Sequence, residues 1–583
     1  MDNTRQGQPV QRRRSGRGCI FSLIGLALLI AGGIFGYNTL QARFFGNNTT
    51  ASTCPSNTLV LNMYYGSEKS AWINDVVNDY NSHNTSVCVN AVPIGSGQSM
   101  QQIVDGSIQP DIWSPAGSIW LALLNAMWQP KHGSNIVSTG ASDNPSLVTS
   151  PVVIAMWKPE AEALGWPSKP IGWSDIAALS TNPQGWAAYG HPEFGPFKFG
   201  HTHPVYSNSG LDAVIAMNYA AVHKVRGLTM DDVANASTNS FVTNVESSII
   251  HYGDSTGFFA DKMFTKGPGY LSAAVMYESL VVEANDGKKY PHLPYPVVAI
   301  YPKEGTFYSD HPFAIPQASW MTQEKRAAAL TFRNFLLAPA QQEKAVKDGF
   351  RPANLSVNSG APIDSAHGVD PSQPSTLLQL PSTGVVNAIQ AAWNNQRRKV
   401  DVMLILDSSG SMSDSVNGVS KIDAAKQGLT EFVNLLGDND QLGLTNFSDN
   451  ATVLTPISQL GPKRQDTLNA INGIQANGGT LLFDTINDQF NGLRNDHSGN
   501  IRAIVVLTDG MDNQSSNSID SLVSNVTPSG DNAGNGIKVF TIAYGSDADV
   551  NGLTRIADAS GGQEYAGNPQ NIRQVYNQIS EFF

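Results

Sequence analysis

Along most of the chain, short and nearly continuous apolar runs alternate with stretches in which apolar residues return every three or four positions. Residues 59–64 and 71–80 set this pattern, which recurs through 151–156 and 272–283 to a helical stretch at 323–337 that ends in a proline-containing break. Continuous runs predict strands and the longer spacing predicts amphipathic helices, so the expected class is α/β, with one large region over 55–354. Residues 355–381 carry Ser, Pro, Gly and Asn without periodicity and read as an interdomain connection or a strap over a surface. Val385, Val386, Ile389, Ala392 and Trp393 recur at helical spacing, which makes 355–399 a linker with a connecting helix. From Val400 the pattern is cleaner. Apolar strands are expected at 400–406, 442–447, 501–507 and 537–543, separated by amphipathic segments at 422–436, 464–474, 481–493 and 518–526, with 571–582 closing the chain. Strands apolar on both faces belong in a helix-covered parallel sheet, so 400–583 is expected to be a doubly wound domain.

The apolar run at 20–37 is of another kind. It follows Arg12, Arg13, Arg14 and Arg17 directly and would extend about 27 Å as a helix, enough to cross most of a bilayer. The basic flank predicts a cytoplasmic tail over 1–19, a single transmembrane anchor over 20–40, a tether over 41–54, and all later residues outside the cell membrane. A cleaved secretory signal is the alternative, although its apolar core is usually about 7 to 15 residues. Either way the bulk of the chain is exported. Of the three cysteines, Cys54 and Cys88 lie beyond the membrane, where disulfides persist, and are expected to pair; Cys19 precedes the apolar run and is left over. The alternative is two free thiols.

A chain of 583 residues exceeds what one core supports, in agreement with two or three domains. Charged residues make up 14%, against about 25% in ordinary soluble proteins, and the net charge is -12. Such a surface argues against nucleic acid, whose binding draws on Lys and Arg neutralising phosphates.

The sharpest chemistry lies at the C-terminal end of the strand at 400–406, which runs into Asp407-Ser408-Ser409-Gly410-Ser411. Two further loops on that edge, Gly478-Gly479-Thr480 and Thr508-Asp509-Gly510, bring more oxygen side chains to the place where open α/β sheets bind ligands. Asp407, Ser409, Ser411, Thr480 and Asp509 form a donor set suited to Mg²⁺ or Mn²⁺, hard cations that take oxygen ligands. Neutral hydroxyls leave such an ion under-neutralised, so a carboxylate from an Asp or Glu of a partner protein is a favourable further ligand. This order of Asp-x-Ser-x-Ser, Thr and Asp resembles the metal-ion-dependent adhesion site of the von Willebrand factor A family. The resemblance covers about 401–583 and implies a Rossmann-like domain that captures proteins through its metal.

Serine-rich loops open helices in the larger region, at Gly66-Ser67-Glu68-Lys69-Ser70, Gly95-Ser96-Gly97-Gln98-Ser99 and Ser207-Asn208-Ser209-Gly210. They suit an anion or a polar solute, and equally plain helix capping. Together with Pro110 to Pro115, Val275 to Glu278, Tyr301 to Gly305 and Gly349 to Pro352, they resemble extracellular solute-binding proteins of the two-lobed, hinge-closing type. That resemblance implies a type II periplasmic-binding-protein-like domain over 55–354, with Ser67, Ser96, Ser114, Ser209, Tyr277 and Glu278 lining a cleft for a small polar or anionic solute. It differs from importer-coupled relatives in being tied to a helix and fused to an adhesion-type domain. The aromatics Tyr64, Tyr65, Trp72, Trp113 and Trp120 read as core or as walls for a sugar-like ligand. His201 and His203 lack a third zinc ligand.

Nothing matches a zinc-protease helix, a phosphate-binding P-loop or a nucleophile elbow, so no catalysis is expected. The chain reads as a bacterial, membrane-anchored surface protein that binds a solute and a protein partner. The alternatives are a ligand-gated surface sensor and a surface hydrolase using the cleft.

Overall fold

The computed structural model describes residues 54–583, apart from 254, 417, 496–498, 529–535, 581 and 583. The expected tail, the anchor, Cys19 and nearly all of the tether therefore lie outside the described residues. No helix among the described residues is long and apolar enough to cross a membrane.

Two lobes occupy the larger region. The first is built on a parallel sheet ordered Val87–Pro93, Leu59–Tyr65, Ile112–Ser114, against which Ser70–His83 and Gln323–Leu336 pack. Cys54 and Cys88 are joined by a disulfide with their Cα atoms 5.7 Å apart, which ties the chain entering this lobe to its edge strand. The second lobe is built on a larger sheet whose spatial order is Arg351–Pro352, Val148–Trp157, Ala273–Tyr277, Phe199–Thr202, Ile249–Gly253; Val297–Ile300 and Tyr308–Ser309 also pair with Val148–Trp157. The chain crosses between the lobes near residues 147, 311 and 350. Residues 355–381 form a strap on the second lobe: Leu378 donates its backbone N–H to Thr306 and Gln379 donates to Val225, each at 2.9 Å.

The sheet of the last domain has the spatial order Ala451–Gln459, Gln441–Phe447, Val400–Asp407, Ile501–Thr508, Lys538–Tyr544, Glu564–Gly567. Every residue of Val400–Asp407 is buried and both its neighbours run parallel to it, which explains the apolar run Val402 to Leu406; Asp401, near its start, accepts from the Asn500 side chain at 2.8 Å. Lys421–Leu435 starts where Ser420 accepts from the Asp423 N–H, and Ile519–Val526 where Ser518 accepts from the Ser521 N–H. The antiparallel edge strand Ala451–Gln459 is an element the apolar pattern misses, because no residue along it is fully buried.

Thr383–Gln396 joins the domains by filling the second lobe from outside. Val386, Ile389 and Trp393 are buried, and the Trp393 indole donates to Glu246 Oε1 at 3.0 Å. The same carboxylate lies 2.9 Å from His201 Nε2 and accepts from Tyr252 at 2.6 Å. Arg397 then pairs with Asp440, and Arg398 donates to Ile249 O in the lobe and Gly499 O in the last domain, both at 2.8 Å.

Candidate functional site

Three loops meet at the carboxyl edge of the last sheet. Val400–Asp407 ends on a buried Asp407, whose Oδ1 accepts from the Ser409 N–H at 2.7 Å and whose Oδ2 accepts from the Thr508 hydroxyl. Ser409 Oγ lies 3.1 Å from Ser411 Oγ, and Ser411 Oγ donates to Asp509 Oδ1 at 2.7 Å. A continuous chain of oxygens, hydroxyl to hydroxyl to carboxylate, thus crosses from the first loop to the third. Gly410 donates to Gly478 O at 3.0 Å and Asn477 to Ser408 O at 2.7 Å, which fixes the second loop against the first. Thr480 is held between Asn513 Oδ1, which accepts its N–H at 2.9 Å, and the Asn513 N–H, which donates to its carbonyl at 3.0 Å. Its hydroxyl would lie 3.5 Å from a Cβ placed on Gly510, so it borders the third loop.

Asp407, Ser409, Thr480 and Asp509 are buried while Gly410 and Ser411 are exposed, so the oxygens form the floor of a site open to solvent on one side. Burial, with Asp509 adding to it, pushes the Asp407 carboxyl up to about 6. A close group of carboxylate and hydroxyl oxygens in which burial opposes the charge of one member fits a hard divalent cation, which would restore that charge. Among the described residues no group of three or more His, Cys, Asp or Glu offers an alternative metal centre.

The sequence reading missed three supports here. Asp512 Oδ1 accepts from the Leu482 and Phe483 N–H groups at 2.8 and 3.2 Å, and Asp449 Oδ1 from Gly479 at 2.7 Å. Lys421 donates to Asp509 Oδ2 at 2.6 Å. As the first residue of its helix, it carries no local sequence mark that its side chain turns inward.

In the larger region the helix-opening serines do not cap. Gly66, Gly95 and Ser207 precede their helices without a side-chain capping bond. Ser67 instead reaches the other lobe, donating to Ser255 Oγ at 2.9 Å and accepting from the Gly257 N–H at 3.0 Å. Ser96 accepts from the Ala116 N–H, and Ser209 lies 2.9 Å from both Thr202 Oγ1 and Thr256 Oγ1. Gly97 and Gln98 donate to Tyr206 O of the opposite lobe at 2.8 and 3.1 Å, and the Trp120 indole reaches Asn208 at 2.8 Å. The lobes are therefore closed on each other. Asn208 Nδ2 donates in turn to Asp212, Tyr277 Oη and Ser309 at 2.7 to 3.1 Å.

Beside this network sits a second buried group, missed by the sequence reading. Lys69 donates to Glu68 at 2.8 Å and lies 3.1 Å from His311 Nδ1. Burial alone would raise the Glu68 carboxyl, but Lys69 and His311 hold it down at about 2; burial, aided by Lys69, lowers His311 below its ordinary value. His311 adopts φ 40, which is costly for a residue with a side chain. Several buried polar atoms of the described residues have no hydrogen-bond partner, and Ser114 Oγ and His311 Nε2 are among them. Glu278 does not face the cleft as a free carboxylate: Arg351 donates to it twice, at 2.9 and 2.8 Å, and Tyr301 donates as well. Tyr65, Trp72, Trp113 and Trp120 are buried core, and both ring nitrogens of buried His201 are engaged.

Residues 61–351 match the family described as bacterial extracellular solute-binding protein, and residues 401–580 match the von Willebrand factor type A domain. An uncharacterized protein of Mycobacterium tuberculosis (strain ATCC 25618 / H37Rv) is 23% identical, with 94% of this chain and 80% of the relative covered. A von Willebrand factor type A structure from Catenulispora acidiphila is 22% identical over 32% of this chain and 42% of its own, with a TM-score of 0.27. The chain thus spans less than half of that structure. A periplasmic thiamin binding protein is 12% identical over 59% of this chain and 97% of its own, with a TM-score of 0.43.

Proposed function

We propose that this chain, which joins an extracellular solute-binding domain to a von Willebrand factor type A domain, is a membrane-anchored extracytoplasmic binding protein rather than an enzyme. Its last domain takes a protein partner through Mg²⁺ or Mn²⁺, and its two-lobed domain takes a small polar or anionic solute. The observation that carries the first part is the run of oxygens from Ser409 through Ser411 to Asp509, above Asp407 and open to solvent at Gly410 and Ser411. Ser409, Ser411 and Thr480 would supply neutral oxygens, and Asp407 and Asp509 negative charge. A bound divalent ion would offer a Lewis-acid position for a partner's Asp or Glu carboxylate. Calorimetry with Mg²⁺ and Mn²⁺ tests the reading: binding is expected in the wild type and strongly weakened binding in Ser409→Ala. A flat wild-type titration would overturn it.

For the solute, the supporting observation is two partnerless atoms at the closed lobes, Ser114 Oγ and His311 Nε2, the second on a residue whose backbone is itself strained. Buried polar atoms are seldom left unpaired, and a ligand would pair them. Native mass spectrometry of the freshly purified protein is expected to show a small bound mass that Ser114→Ala reduces. Turnover of that molecule by the protein would replace the binder with a hydrolase.

A second reading, a sensor in which solute controls the partner site, is favoured by one contact. Gln390 of the connecting helix donates to Pro204 O at 2.9 Å, in the loop whose Tyr206 carbonyl closes on Gly97 and Gln98. Opening the lobes would disturb the helix that leads into the metal-site domain. Mg²⁺ affinity that changes when solute is added would support it, and identical affinities would remove it.

A further inference from the structure

We infer that Lys421 is a built-in counter-cation of the oxygen site, one that weakens metal binding and leaves the metal-loaded site with a surplus positive charge that selects an anionic ligand. This rests on the reading that a divalent ion binds there, and concerns what this chain adds to it.

The lysine is held in place from several directions. Its backbone N–H donates to Asp414 O at 2.9 Å, and its carbonyl accepts from the buried Tyr544 hydroxyl at 3.1 Å. The side chain then passes Gly545, where an added Cβ would lie 3.6 Å from Cε and 3.7 Å from Nζ. Gly545 has φ 97, a conformation that side-chain-bearing residues rarely adopt, so the turn beside the lysine stays narrow. The ammonium ends 2.6 Å from Asp509 Oδ2, with only 8% of its side chain exposed and none of the Asp509 side chain. Both carboxylate oxygens of Asp509 are therefore engaged, Oδ1 by Ser411 and Oδ2 by Lys421.

Charge decides what this does. Of the residues that would hold the ion, Asp407 and Asp509 contribute two negative charges, and Lys421 adds one positive, so this set is singly negative; Asp449 and Asp512 stand behind it, bonded to backbone N–H groups of the second loop and the helix that follows it. A divalent ion makes the set singly positive, and one carboxylate from outside brings it to neutrality. Without Lys421 the loaded site would already be neutral, and an incoming carboxylate would leave it negative. In a buried setting, where screening is weak, one unit of charge within a few ångströms dominates such a balance. The same ammonium repels the metal and competes for Asp509, so affinity for the ion falls as preference for the anion rises. It also keeps Asp509 paired before any metal arrives, which holds the three loops in register in the empty site.

The test is Mg²⁺ and Mn²⁺ calorimetry on the full chain as wild type, Lys421→Gln, Lys421→Arg and Ser409→Ala. Lys421→Gln keeps an N–H donor and removes only charge; it is expected to bind metal at least about tenfold more tightly, equivalent to about 1.4 kcal/mol. Lys421→Arg keeps the charge and is expected to stay near wild type. Should Lys421→Gln fold poorly without metal, its melting temperature is expected to rise more on Mg²⁺ addition than that of the wild type, since the ion then supplies the missing charge. A merely structural lysine would give a less stable variant with unchanged or weaker metal affinity and an equal or smaller melting shift, and that result overturns the inference. No metal binding by the wild type overturns instead the reading on which it rests.

Discussion

The cleft and the sheet edge draw on the same materials, serine hydroxyls at helix starts and strand ends with a few buried charges, yet they stand in opposite conditions. In the cleft, Ser67, Ser96 and Ser209 are bonded to the protein itself, and the N–H groups of Gly97 and Gln98 point at a carbonyl of the facing lobe. At the sheet edge Gly410 and Ser411 face solvent. The difference follows from what carries each group. Ser67 is satisfied by a residue of the facing lobe, whereas Ser409 and Ser411 are satisfied by one another and by Asp509, on a face that stays open to solvent. Binding in the cleft requires the lobes to part and finds Ser114 Oγ and His311 Nε2 still to be paired, whereas binding at the edge rearranges a bonded set that solvent already reaches.

Four perturbations would break or sharpen this contrast. The largest effect is expected from Asp509→Ala, which removes metal affinity and strands the buried Lys421 ammonium, at a cost of about 3–5 kcal/mol in thermal unfolding. Ser409→Ala should lose metal affinity with little change in melting temperature. Equal stability of the two variants would mean that the edge is not locked by its ion pair. Next in size is Gly97→Ala, whose Cβ would sit 2.0 Å from Val205 O, so the closed arrangement is expected to give way. X-ray scattering should report a larger radius of gyration than the wild type, with the helical circular dichroism unchanged; an unaltered profile would show that closure does not depend on that contact.

A smaller effect concerns pH. Burial, with Asp310 nearby, pushes Asp212 up to about 8 from an ordinary 3.8. The folded carboxyl holds its proton more tightly than the unfolded one, so its stabilisation is fully present below about pH 4 and is lost as pH rises toward 8. Asp212→Asn keeps an oxygen for Asn208 and has no such proton to lose. Its melting temperature relative to wild type is expected to climb by several degrees between those limits; parallel curves would place Asp212 in water. The smallest effect belongs to Ser518→Ala, which gives up the cap on Ile519–Val526, costs about 1 kcal/mol and leaves metal affinity untouched. A change in metal affinity there would mean that the edge is not as local as its bonds imply.

The last domain was largely legible in the sequence because its central strands are buried on both faces, so apolar runs mark them, and Asp407, Ser409, Ser411 and Asp509 sit just past the ends of two such runs, with Thr480 just before a helix. Ala451–Gln459 escaped because an edge strand that buries little carries no such mark. Lys421 escaped for a related reason: nothing in a helix's first residue says that its side chain turns inward to a loop almost ninety positions away. In the cleft the serine loops were visible, but their partners were not. Ser67 meets Ser255, and Gly97 meets Tyr206, only through a closure that depends on the angle between lobes, which no local pattern encodes. Glu278 was legible as a cleft residue only by resemblance; its bond to Arg351 joins residues 73 positions apart, which no local pattern reveals.

The connecting helix Thr383–Gln396 has a consequence in time. Trp393 and Ile389 lie in the second lobe's interior, and Trp393 completes the surroundings of Glu246, although both residues are made well after that lobe's last strand. As the chain emerges from the ribosome, the second lobe must wait, its apolar face uncovered and Glu246 short of a donor, until residue 396 has followed. The lobe therefore matures on the schedule of its neighbour, and a chain interrupted near residue 354 would be left with an unfinished core.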